Sequence, residues 1–193
     1  KDIGQAEMED AADRVMMGPE RKSRVISPRE KEITAYHEGG HALVAHFLPN
    51  ADPVHKISIV ARGMAGGWTR FLPSEDRHLW SRAQLEDQIS TALGGRAAEE
   101  LIFGDITTGA QNDLANATKV ARRMVTEFGM SDKLGPRTFG QRQEMVFLGK
   151  EISEHRDYSD AIAEDIDEEV DGLIRKAYDN AKRSGLGDGE AYA

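Results

Sequence analysis

The stretch AYHEGGHALV sets His37, Glu38 and His41 inside a run of small and apolar residues. Residues four apart on a helix lie one above the other, so His37 and His41 project two imidazoles from one face, close enough to share one ion. Glu38 follows about 100° further around the helix, off such an ion but near a water bound to it. That is the arrangement of a hydrolytic zinc site. The metal lowers the pKa of water from near 15.7 toward roughly 7 and polarises the scissile carbonyl, and the glutamate takes the proton and passes it to the leaving amine. On a helical wheel both histidines share the sector of Ile33, Gly40, Val44 and Leu48, which points inward. Two imidazoles in an apolar sector cost free energy unless something ligates or hydrogen-bonds them. His46, His55, His78 and His155 fall outside the spacing and read as surface or packing residues.

A hydrolytic zinc site needs a third protein ligand and an open fourth position. The chain has no cysteine, so that ligand must be His, Asp or Glu, and disulfides are excluded. Two regions compete. Glu99 and Glu100, in GGRAAEELIFG, fall near the inner sector of one helix, while Asp113, in TTGAQNDLANAT, sits in the first turn of the next. Periodicity leaves both open, because a near-buried glutamate could equally pair with Arg96 or support a ligating histidine, and an acid in a first turn also compensates the helix dipole.

The elements that must carry these residues read as mainly α with a small β-hairpin. In RVISPREKEIT, Ser27, Pro28 and Glu30 make a capping box that starts a helix over 28–47, stopped at Pro49. Alternation in VHKISIV and the break at RGMAGG predict two strands at 54–60 and 66–72 joined by a glycine-rich turn. Ser81 with Gln84 caps a helix that runs to Gly104, and Thr108 with Gln111 caps another that ends at Gly129. Residues 130–150 read as a structured loop with one short strand, and a last helix over 159–183 is acidic on one side. An amphipathic helix over 4–17 presents Met8, Ala11, Ala12, Val15 and Met16. Phe128, Phe139 and the methionines at 8, 16, 124 and 145 read as core or subunit contacts.

Composition narrows the function classes. The 193 residues suit one domain with an appendage. A net charge of -9, with only the short basic run RKSR at 21–24, argues against a nucleic-acid surface and leaves polypeptides or small molecules as partners. No phosphate loop and no spanning apolar run occur in the sequence. The chain begins at Lys1, and a soluble piece of a longer protein is expected.

HEGGHALVA after RKSRVISPREKEITAYH, then HKISIVARG, AGGWTRFLP, GGRAAEELIFGDITTGAQNDLANAT and MVTEFGMSDKLGP together resemble the peptidase domain of the FtsH family of ATP-dependent zinc metalloproteases, from about residue 8 to 180. The resemblance implies a zincin-like HExxH helix in a helical peptidase domain and one zinc per chain. It implies His37, His41 and Asp113 as ligands and Glu38 as general base, with Glu99 in a supporting role. It divides the end of a linker helix (1–18) from the peptidase domain (19–183); the last residues, SGLGDGEAYA, read from their composition as a disordered tail (184–193), where family members usually continue with more helix. ATP and Mg2+ would belong to an ATPase module outside this chain. The parent would be anchored in the bacterial plasma membrane, with the peptidase in the cytoplasm, or in an organelle of bacterial descent. There it would form a homo- or hetero-hexamer that degrades unfolded or misassembled membrane and soluble proteins in protein quality control.

A broadly acting protease is expected to grip main chain by adding substrate to a sheet edge, with Gly66, Gly67 and Trp68 near the site. The alternative is a non-catalytic, zinc-bound oligomerisation module, which has no need of Glu38. Family members carry alanine where this chain has Gly39, which weakens the helix by roughly 0.5–1 kcal/mol unless the missing Cβ makes room for a neighbour.

Overall fold

The computed structural model describes residues 3–20, 26–63, 65–73, 75–142, 154–155 and 157–186, so the basic run at 21–24, Met145 and residues 187–193 lie outside the described part. Five α-helices are described: α1 (Gln5–Met17), α2 (Pro28–Phe47), α3 (Arg82–Phe103), α4 (Gln111–Thr126) and α5 (Asp160–Ala181). Strands β1 (Val54–Ser58) and β2 (Trp68–Phe71) pair antiparallel with Lys56 opposite Arg70 and Ile57 opposite Thr69. Two-residue strands β3 (Gln141–Arg142) and β4 (Glu154–His155) form a second antiparallel pair.

Local chemistry sets the helix starts. The Ser27 hydroxyl accepts from the Glu30 N–H at 3.1 Å and the Glu30 carboxylate accepts from the Ser27 N–H at 3.1 Å, so α2 begins where the capping box places it. Ser81 and Gln84 do the same for α3. The start of α4 differs from expectation. Thr107, not Thr108, is the capping residue: its hydroxyl accepts from the Gly109 N–H and caps a 3-10 turn, Thr108–Ala110, so that α4 opens at Gln111. Beyond α5, a π turn, Lys182–Leu186, takes up the first residues of the expected tail. Buried Ala181 at its base packs with Val44, Ala97 and Ala98.

Helix α3 lies at the centre, packed against α2, α4 and α5. Its Leu85, Ile89 and Leu93 meet Ala117, Ala121, Met124 and Val125 of α4, Ile166 and Val170 of α5, and Phe139. The crossing with α2 is close because Gly40 and Gly94 face each other there. A Cβ on Gly40 would stand 2.5 Å from the Gly94 carbonyl oxygen, and one on Gly94 would stand 2.7 Å from the Gly40 oxygen. Two helix-interior glycines cost about 1 kcal/mol each in propensity. That cost allows the backbone contact that sets the histidine face of α2 against α3.

Helix α1 turns the opposite way from its apolar pattern. Met8, Val15 and Met16 are exposed, Val15 at 86%, whereas Asp13 is buried at 1%. The hairpin supplies the reason. Asp13 accepts from Lys56 at 2.6 Å and Arg70 at 2.8 Å, and buried Arg62 reaches Asp10 and Glu20 at 3.0 and 2.8 Å. Charge complementarity with the hairpin orients the polar face inward. Of the expected core or contact residues, Met124 and Phe139 are buried and Phe128 is exposed.

At Gly39 no atom lies within 4 Å of where a Cβ would stand, so its absence makes room for nothing. Gly39→Ala is therefore expected to stabilise the protein by roughly 0.5–1 kcal/mol. Thermal unfolding should show Tm raised by about 1–4 °C; an unchanged or lower Tm would contradict the reading of that position.

Candidate metal and catalytic centre

The inner face of α2 buries His37, Glu38, Gly40, His41 and Val44. His41 Nδ1 lies 2.8 Å from the Thr91 carbonyl oxygen of α3. A carbonyl only accepts, so this nitrogen carries the proton, and in the neutral ring Nε2 keeps its lone pair. His37 Nδ1 lies 2.7 Å from Glu99 Oε1, and the other oxygen of Glu99 accepts from the Thr107 N–H at 2.6 Å. Neutral His37 is thereby set in the same tautomer. Its ring fits because residue 95 is glycine: a Cβ there would stand 2.6 Å from the imidazole.

Both Nε2 atoms then converge on Asp113, in the first turn of α4. The separations are 3.1 Å between the nitrogens, and 3.2 and 3.5 Å from Asp113 Oδ2 to His37 and His41. Three lone-pair bearers so close repel unless a cation or proton lies among them. A tetrahedral zinc with nitrogen and oxygen ligands at roughly 2.0–2.1 Å holds them about 3.3 Å apart, which matches this triangle. His37, His41 and Asp113 form a group able to hold a metal ion, and the N, N, O donor set suits zinc.

The electrostatics agree. Burial works to raise the Asp113 carboxyl, but hydrogen bonds with His37 and His41 override it and hold the group well below the usual carboxylate range. Burial opposes charge on His37, yet Asp113, Glu38 and Glu99 together hold its imidazole above the ordinary value. Asp113 thus faces the point where the nitrogens meet, and Glu99 backs His37 from the other side of the ring. Glu38, 7% exposed, is pushed up by burial, with His41, Thr69 and His37 opposing only in part. A carboxylate with raised proton affinity is suited to general-base work.

Of the two glutamates that compete with Asp113 in the sequence, Glu99 touches His37 from the far side of the ring. Glu100 faces α5 instead, where it accepts from the Tyr178 hydroxyl and from Lys182. Gly67 lies against α2, where a Cβ would stand 3.0 Å from Glu38 Cγ. Gly66 and Trp68 also line the cleft of about 1270 Å3 that contains the cluster. Trp68 is itself buried, with its indole N–H unpartnered among the described residues. His46, His55 and His78 are exposed. Two site contacts have no counterpart in the sequence reading. The Thr91 carbonyl carries no side-chain signal, whereas Thr69 shares a strand face with Gly67 and could have been found from period-two alternation.

A profile of peptidase family M41 matches residues 24–185. The chain is 61% identical over 181 residues to "ATP-dependent zinc metalloprotease FtsH 1" of Sphaerobacter thermophilus, covering 94% of this chain and 28% of that protein. It is 61% identical over 183 residues to the protein of the same name from Thermomicrobium roseum, covering 95% and 28%. With "ATP-dependent zinc metalloprotease FtsH" of Pseudothermotoga lettingae it shares 58% over 181 residues, covering 93% and 29%. The chain spans a little over a quarter of the length of these relatives. Among the described residues no helix is long and apolar enough to cross a membrane.

Proposed function

The chain belongs to peptidase family M41, and on that premise we propose that it is a zinc-dependent endopeptidase domain in which His37, His41 and Asp113 hold one zinc ion and Glu38 is the general base. The observation that carries this reading is the triangle of two imidazole nitrogens and one carboxylate oxygen, with a buried carboxylate beside it in an open cleft. Zinc held there would acidify water and polarise a carbonyl.

The chain's own groups do the rest. Glu38 takes a proton from the attacking water, whose oxygen bonds to the carbonyl carbon, and returns it to the amide nitrogen as the C–N bond breaks. Glu99 holds His37 in the tautomer that leaves Nε2 free, and the Thr91 carbonyl does so for His41. The polypeptide is gripped as an added strand along β2, beginning at Gly66 and Gly67, where main-chain hydrogen bonds serve any sequence. A closed structural zinc site has four protein ligands. Here the described residues supply three and the cleft is open, which weighs against a non-catalytic oligomerisation module.

The longer protein is proposed to be a membrane-anchored, ATP-dependent hexamer that feeds unfolded or misassembled proteins to this domain, with α1 as the end of the linker from its ATPase. Its peptidase would face the cytoplasm or the interior of an organelle of bacterial descent. The relatives named above carry ATP dependence in their names. Cleavage of an unfolded, casein-type substrate, followed before and after chelation, tests the domain's activity. One zinc per chain, loss of cleavage when it is stripped and recovery when zinc alone is restored are expected; cleavage that persists in stripped protein would overturn the reading.

A further inference from the structure

Resting on the reading of Glu38 as general base, we propose that Thr69 of β2 is the positioning residue for that carboxylate. The Thr69 hydroxyl lies 2.8 Å from Glu38 Oε2 and 3.1 Å from the Glu38 backbone oxygen. The hydroxyl has one proton, so it donates to the nearer carboxylate oxygen, with the backbone oxygen within reach of the same proton. Among the described residues Thr69 makes the hydrogen bond to the Glu38 carboxylate, at Oε2, and proton uptake in this proposal falls to Oε1. An untethered glutamate samples several rotamers, and fixing one in a productive arrangement is worth much to catalysis, since a displacement of about 1 Å can cost roughly 100-fold in rate.

The strand that bears Thr69 is itself held in place. Gly67, two residues earlier on the same face, lets β2 approach α2, because a Cβ there would stand 2.6 Å from Thr34 Cγ2 and 2.8 Å from the Ser58 carbonyl oxygen. On the opposite face Arg70 is anchored to buried Asp13 at 2.8 Å, and Ile57 of β1 lies opposite Thr69 in register. The hydroxyl is thus presented by a strand held on both faces, and the edge of that strand is the one proposed to receive the polypeptide. Substrate bound along β2 and the base on α2 are placed relative to each other through this one side chain.

The comparison is between Thr69→Val, which keeps the branched shape favoured in a strand but lacks the hydroxyl, and Thr69→Ser, which restores the hydroxyl. Both are assayed as zinc-loaded protein on an unstructured fluorogenic peptide, with zinc content and the crystallographic position of the Glu38 carboxylate as further readouts. Thr69→Val is expected to retain one zinc, lower kcat by about 10- to 100-fold with KM within about twofold, and show Glu38 displaced. Thr69→Ser is expected to recover most of kcat and the original Glu38 position. Wild-type kcat in Thr69→Val, a change confined to KM, loss of zinc, or a serine variant no better than valine would each overturn the proposal. Glu38→Gln separates the two levels. If it is inactive with zinc bound while Thr69→Val is fully active, only the positioning role fails; if it is active, the general-base reading fails and takes this inference with it.

Discussion

Asp113→Ala is expected to strip the chain of zinc and of peptide cleavage together. The carboxylate is the one group in the cluster that α2 does not supply, and without it two imidazoles from a single helix face remain. Neither glutamate of α3 is free to take its place. Glu99 is committed at both oxygens, to His37 Nδ1 and the Thr107 N–H, and Glu100 is turned toward Tyr178 and Lys182. Removing even an outer partner of a metal ligand typically costs 10- to 100-fold in affinity, so losing the ligand itself should weaken zinc binding by at least about 100-fold. The helix itself should survive, because Asp113 is in the first turn with its side chain 29% exposed and the packing of α4 rests on Ala117, Ala121, Met124 and Val125. Competition against a chromogenic chelator measures the affinity, and circular dichroism reports whether the fold is retained. Wild-type affinity in a folded Asp113→Ala protein would remove Asp113 from the ligand set.

Glu38→Gln separates holding the metal from using it. Glutamine is close in shape to glutamate, and its amide can still meet the Thr69 hydroxyl. The metal-holding cluster is His37, His41 and Asp113, without residue 38, so zinc content should not change. What disappears is proton uptake. A positioned general base contributes about 100- to 10,000-fold, and the variant should lose kcat over that range with the domain folded. Burial already raises the proton affinity of the carboxylate, so the wild-type group is better matched to its task than an exposed glutamate.

Much of the molecule was legible where the signal is local. The capping boxes at Ser27 and Ser81 fixed α2 and α3 because the groups that satisfy the first turn lie within three residues of each other. The HExxH spacing likewise places both imidazoles on one face without help from the rest of the fold. Failures arose where the outcome depends on a partner distant in sequence. The apolar stripe of α1 reads as core or subunit contact, and its exposure is set by the hairpin, where Lys56 and Arg70 draw Asp13 inward and Arg62 pairs with Asp10. Thr107 and Thr108 carry the same side chain, and the 3-10 turn that makes Thr107 the cap sits beside a contact distant in sequence, the Thr107 N–H to Glu99.

The choice among Glu99, Glu100 and Asp113 shows the limit most clearly. Each falls near an inner sector by periodicity, yet their distances to the imidazoles depend on how α3 and α4 are set against α2. The first of those settings comes from the Gly40 and Gly94 contact, where two residues without side chains leave no hydrophobic signal to read. Family resemblance points to Asp113 from a motif, and the fold brings that residue to the imidazole nitrogens.

The most direct test of the central claim is zinc stoichiometry and turnover of an unstructured peptide measured on the same preparation of Glu38→Gln, beside wild type. One zinc per chain in both proteins is expected, with kcat lower by at least about 100-fold in the variant. One zinc per chain with wild-type turnover in Glu38→Gln would contradict it.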